Sequence, residues 1–287
     1  MDRDFQHLGT GGRTVARLAG ETRTLVLGSV WLAVALAWLV LLWTAASLPP
    51  AATGPGGWLI ELLPFPEAGG LLAAFAQLCL SPETAAGSFP RAAALVLMWF
   101  LMAVATMLPS AAPMIRTYCE IADTAARAEK HAVHPWVLVA GYLTVWLAAA
   151  AAFAALTLGI QAVAPDDPRH AGWVAAAALA LAGAWQFSSL KEACLTKCRA
   201  PFSTLFGRWS NRARGVYRLG MEQGLWCLGC CWALMLVMFA VGIMNIFWMA
   251  LIGLFAIVEK TGNGQVIGRI AGTILLVWAV TLLVISA

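Results

Sequence analysis

From Cys227 to Val258 the chain carries no charged residue, and this run limits the possible folds more than any other feature. A hydrocarbon core about 30 Å thick is crossed by about 20 helical residues. The run is too long for one crossing and barely long enough for two. Gly242 and Asn245 sit near its middle, where a glycine can end one helix and an asparagine can cap the next. The run therefore predicts a tight hairpin of two short helices.

The rest of the chain has the same character. Hydrophobic residues make up 61% and charged residues 11%, against about 25% charged in ordinary soluble domains. The fold class expected is all-α, a polytopic transmembrane bundle, so the first partner is the lipid bilayer. Basic residues matter here for orientation, and nothing in their placement points to nucleic acid.

Taken in order, residues 1–23 form a polar, basic tail, and residues 24–287 one transmembrane helical domain. The apolar run from Thr24 to Ala46 exceeds the roughly 7–15 residues of a cleavable signal core, so it predicts a retained first span with its N-terminus inside. Residues 48–90, rich in proline and glycine with acidic charges only, suit an outside loop. Within that loop, Gly69 to Leu80 suits an interfacial or re-entrant helix. Arg91 to Leu108 predicts the second span, with Pro109 and Pro113 preventing simple continuation of the helix and a charged loop following to His134. Pro135 to about Val163 and Ala171 to Leu190 predict the third and fourth spans.

Next comes the most basic segment, with Lys191, Lys197, Arg199, Arg208, Arg212, Arg214 and Arg218 against Glu192. The positive-inside rule makes it cytoplasmic. The hairpin supplies spans at about 222–241 and 245–258. A last span, Gln265 to Ser286, carries Gly268 and Gly272 four apart, a spacing for close helix contact. The expected count is seven spans, or six if the hairpin is one kinked helix. The setting expected is a bacterial inner (cytoplasmic) membrane.

Five of the seven cysteines fall between Cys194 and Cys231. Cys194 and Cys198 are four apart and share a face if helix continues there. Cys227, Cys230 and Cys231 lie within a narrow arc of the next helix, and Met235 continues that row. The expected topology brings both clusters, with Met107 at the end of the second span, to one level of the membrane. Thiolate and thioether donors select Cu(I) over harder cations. Nearby Lys191, Lys197 and Arg199 are expected to help the thiolates ionise. Singly, each cysteine or methionine is a common packing residue; the convergence of two clusters is what suggests a site. No phosphate-binding glycine loop, Ser/His/Asp arrangement or HExxH is present.

Several stretches resemble a bacterial family of predicted metal-binding integral membrane proteins. They are Met107-Leu-Pro-Ser-Ala-Ala-Pro-Met114, Trp185-Gln186, Leu190 to Pro201 with its two cysteines, Gly220 to Met235 with three more, Gly242-Ile-Met244-Asn245 and Glu259-Lys260. The resemblance covers roughly residues 91–260. It implies binding of copper and, from the family's best-known role, a membrane-bound chaperone serving a tyrosinase-type copper oxidase. This chain departs from the family pattern at Gln223, where a histidine is usual, at Thr106, where methionine is common, and at Ser189, usually proline.

The sequence thus leads to an integral membrane Cu(I)-binding protein that supplies a copper-dependent oxidase, without catalytic turnover of its own. The expected metal ligands are Cys194, Cys198, Cys227, Cys230 and Cys231, with Met107, Met114 and Met235 auxiliary. Two other readings remain open at this point: a membrane thiol-disulfide oxidoreductase cycling Cys227 and Cys230, and a subunit of a copper-dependent membrane oxygenase.

Overall fold

The structure, a computed structural model, describes residues 22–47, 70, 74–75, 89–128, 132–163, 168–262 and 264–286. Among these the regular elements are all helices: α1 (Thr22–Ala46), α2 (Phe89–Arg127), α3 (Pro135–Val163), α4 (Pro168–Trp185), α5 (Ser189–Arg199), α6 (Pro201–Gly207), α7 (Ala213–Met235), α8 (Met238–Val241), α9 (Ile246–Thr261) and α10 (Gly264–Ser286). The N-terminal tail and nearly all of the expected outside loop, with its interfacial helix, lie outside the described residues.

Among the described residues, five helical stretches are long and apolar enough to cross a membrane: Arg23–Ala46, Phe89–Ala125, Pro135–Val163, Ala213–Val241 and Gln265–Ser286. A sixth exists if α4 and α5, bent by 64° at their junction, are taken as one broken span. The described residues thus give five or six candidate spans, reaching the lower expected count of six and not clearly seven. The shortfall falls on α9, whose 16 residues rise about 24 Å at about 1.5 Å each, less than the hydrocarbon thickness.

The predicted hairpin is present. α7 gives way to the single turn α8, Gly242 takes a φ of 101°, and Asn245 caps α9 by accepting a hydrogen bond from Trp248 N at 3.2 Å. The predicted break at Pro109 and Pro113 is absent, because α2 runs through both prolines and through much of the expected loop. Proline at 109 removes the donor that Ala105 O would otherwise receive from the helix. Trp38 Nε1, arriving from α1, donates to Ala105 O at 3.0 Å instead. A carbonyl satisfied from outside lets a membrane helix keep its proline. The fourth span does not run on either: it ends at Trp185, and Ser188 starts α5 afresh with its hydroxyl accepting from Leu190 N at 3.2 Å.

Close approach of α3 and α7 fixes the centre of the bundle. A Cβ at Gly220 would stand 2.1 Å from Leu138 O, and one at Gly141 would stand 2.2 Å from Tyr217 O. Small residues at such contacts let backbones meet in lipid. Trp99, fully buried, stacks on Phe153 and Phe239 at 4.9 and 5.5 Å and donates to Thr157 Oγ1 at 3.1 Å. Replacing Gly220 with alanine is expected to push α3 and α7 apart and cost about 1–3 kcal/mol, the usual range for overpacking. A lowered thermal midpoint in detergent is the check.

Arg23 on α1 lies 3.6 Å from Glu120 near the end of α2, so the two helices run antiparallel and share one end. The basic α5–α6 segment caps the bundle near this end, because α6 packs on α2 and Tyr118 of α2 stacks on Trp209 at 5.4 Å.

Candidate metal centre

At this basic end, α5 lies across α7 and brings the two cysteine clusters together. Cys198 of α5 lies within electrostatic reach of Cys230 on α7. Cys230 Sγ stands 3.2 Å from Cys231 Sγ and donates to Cys227 O at 3.1 Å. Cys227 lies three and four residues before them, on the same face of α7. The thiols make a row along α7 and its junction with α5, with Cys198 half-buried and Cys230, Cys231 and Cys227 sealed at 0%, 0% and 3% exposure.

Cys194, one turn earlier on α5, sits against the α7 backbone. A Cβ at Gly229 would fall 2.6 Å from its Sγ. Gly229 also offers its carbonyl to Trp185 Nε1 at 3.1 Å. A glycine between Cys227 and Cys230 is thus what lets α5 come close enough for the two clusters to meet.

Beyond Cys227 the row ends in polar groups that were not among the expected site residues, although Ser110 and Lys260 lie in the resembling stretches. Lys260 Nζ donates to Cys227 Sγ at 3.0 Å and to Ser110 Oγ at 2.7 Å. The Tyr142 hydroxyl lies 3.1 Å from both Cys227 Sγ and Met107 O. Lys260 is therefore the cation at the sulfur site. The expected helpers are placed otherwise: Lys191 pairs with Glu259 and donates to Gln186 Oε1, and Arg199 donates to Glu259 O at 2.6 Å. Glu259 and Lys260, adjacent on α9, bind opposite sides of the bundle end. The available signal was their position, as the first charges after a long apolar helix, where a charge needs a partner.

The three methionines are all buried. Met107 and Met114 flank Ser110 on α2 at spacings of three and four, so they share the stripe facing Lys260. Met235 closes α7 four residues after Cys231. Gln223, one turn before Cys227, is buried with its Nε2 unpartnered among the described residues. Thr106 has a packing role, since a Cβ at Gly253 of α9 would lie 3.2 Å from its own Cβ.

Among the described residues, no three His, Cys, Asp or Glu side chains are grouped so that one metal ion fits between them. The Cys230–Cys231 sulfur pair is tight. Metal–sulfur bonds of about 2.3 Å hold two thiolates roughly 4 Å apart when they share an ion, whereas Cys230 and Cys231 are at 3.2 Å. The thiols are packed as thiols, and an ion entering the row has to spread them.

Fold and site together define a helical protein with several helices long and apolar enough to span a membrane and a sealed thiol row backed by one lysine, a donor set suited to soft, thiophilic metal ions. A family model described as PpoB2, copper chaperone, matches residues 96–282, more than half of the 287-residue chain. The chain belongs to this family of copper chaperones. No curated protein and no solved structure matches it significantly.

Proposed function

We propose that this protein is an inner-membrane Cu(I) chaperone whose cargo is held by thiolates of the α5–α7 row at the cytoplasmic face and delivered to a tyrosinase-type oxidase. The observation that carries this reading is the thiol row ending on Lys260. Two thiolates on one Cu(I) leave a complex of net charge −1, and a buried charge of that kind needs a partner. Lys260 supplies it at the inner end of the row. Cys194 and the buried Met107, Met114 and Met235 are the further sulfur donors of this reading, joining when the row opens. The N-terminus and the basic α5–α6 segment are assigned to the cytoplasm by their Arg and Lys content.

The thiol-disulfide reading uses the same Cys227 and Cys230. Their near-complete burial leaves no access for a protein disulfide, which makes metal holding the better use of the pair.

Cu(I)-loaded protein mixed with a copper-free tyrosinase-type oxidase is expected to restore its oxidase activity faster than the same copper supplied with an exchange-inert chelator. Restoration no faster than with chelated copper contradicts a chaperone role.

A further inference from the structure

One face of α7 changes character along its length. Arg218, Glu222, Leu225, Gly229, Trp232 and Leu236 follow one another at spacings of three and four, so they form a single stripe. The stripe begins at the basic end of the bundle, where Arg208, Arg218, Glu222 and Leu225 line a cavity of about 410 Å³. It continues along an apolar groove of about 510 Å³ between α7 and α3, walled by Ala149 and Ala152 on one side and by Leu225, Gly229, Trp232 and Leu236 on the other. Leu225 lines both, so the polar cavity and the groove adjoin.

Resting on the membrane reading above, we propose that this stripe binds one anionic phospholipid, its phosphate between Arg208 and Arg218 and one acyl chain in the groove. Charge selects the headgroup. Arg208 holds both carboxylate oxygens of Glu222, at 2.6 and 2.7 Å, and Arg218 stands exposed as the excess positive charge. Two arginines against one carboxylate make a cradle of net charge +1, the complement of a phosphodiester; basic pockets between membrane helices hold anionic headgroups in this way. A headgroup that also carries an ammonium finds no open carboxylate, since Glu222 is taken up by Arg208. Length selects the tail. Leu225 to Leu236 rises about 16 Å at about 1.5 Å per residue, which matches one leaflet of a hydrocarbon core about 30 Å thick.

The groove wall is also the seat of α5. A Cβ at Gly229 would fall 2.6 Å from Cys194 Sγ. Trp232 meets Trp185 edge to face at 5.1 Å, and Trp185 Nε1 donates to Gly229 O at 3.1 Å. An acyl chain along this wall packs against the same stretch of α7 that receives α5, so a bound lipid steadies the α5–α7 junction.

The test titrates the full-length protein, purified in detergent and stripped of lipid, with dioleoyl phosphatidylglycerol or dioleoyl phosphatidylcholine, and reads binding by native mass spectrometry. The wild type is expected to bind phosphatidylglycerol more tightly than phosphatidylcholine. Arg218→Ala is expected to lose about fivefold in affinity for phosphatidylglycerol, the worth of one arginine near a lipid surface, and little for phosphatidylcholine. Arg269→Ala, at an exposed position on α10, keeps the wild-type preference. Ala152→Trp, which fills the groove from an exposed position, is expected to lose both lipids. Equal affinity for the two lipids in the wild type overturns the proposal, as does an undiminished preference in Arg218→Ala. Lipid binding retained in Ala152→Trp, or a dimer that Ala152→Trp breaks, gives the groove another occupant and overturns it too. Recovery of the protein from broken cells in the soluble fraction, without detergent, overturns the membrane reading itself, a result distinct from the others.

Discussion

Lys191→Met is expected to destabilise the protein by about 3–5 kcal/mol, the range for removing one partner of a buried ion pair. Lys191 and Glu259 have side chains only 3% and 1% exposed, at the junction of α5, α9 and α10. Without the ammonium, Glu259 keeps its Oε2 unpartnered and loses the bond at Oε1. Arg199 gives no substitute, since it binds the Glu259 backbone carbonyl and not the carboxylate. Replacing both residues, Lys191→Met with Glu259→Leu, is expected to recover most of the loss, because neither charge then remains stranded in an apolar setting. Denaturant titration of the two variants beside the wild type measures this. A single variant within about 1 kcal/mol of wild type, the value typical of exposed pairs, contradicts burial of the pair.

Cys227→Ser is expected to weaken Cu(I) binding by more than about a hundredfold, the upper end of what losing even a supporting partner of a metal ligand costs. Three features single out this thiol. It lies at the sealed end of the row, it receives the Lys260 ammonium at 3.0 Å, and it meets the Tyr142 hydroxyl at 3.1 Å. Serine keeps the shape and the hydrogen-bonding capacity of the side chain, so these neighbours retain a partner while the soft donor is gone. Competition against a coloured Cu(I) chelator gives the change in affinity directly.

What could be read from the sequence divides along physical lines. The turn at Gly242 and the cap at Asn245 are set within a few residues, so they were legible. The run-on of α2 through Pro109 was not, because the group that satisfies Ala105 O is the indole of Trp38, 67 residues away. The choice between six and seven spans turned on α9, where apolar composition suggested a crossing that helix length does not supply. For the site, spacing alone grouped Cys227, Cys230 and Cys231 on one arc. The meeting of Cys198 with Cys230 further depends on α5 restarting after a 64° bend and on Gly229 giving it room. Which lysine serves the sulfurs was illegible: Lys191 lies beside the cysteines in sequence, yet Lys260 reaches them in space.

The claim on which the rest depends is that the α5–α7 thiols hold copper. Elemental analysis of detergent-purified protein, grown with copper and kept anaerobic, tests it when the wild type is set beside Cys227→Ser and a variant with serine at 194, 198, 227, 230 and 231. The prediction is stoichiometric copper in the wild type, a clear loss in Cys227→Ser and none bound in the fivefold variant, with the helical content of all three alike. Equal copper in the wild type and a folded fivefold variant contradicts it.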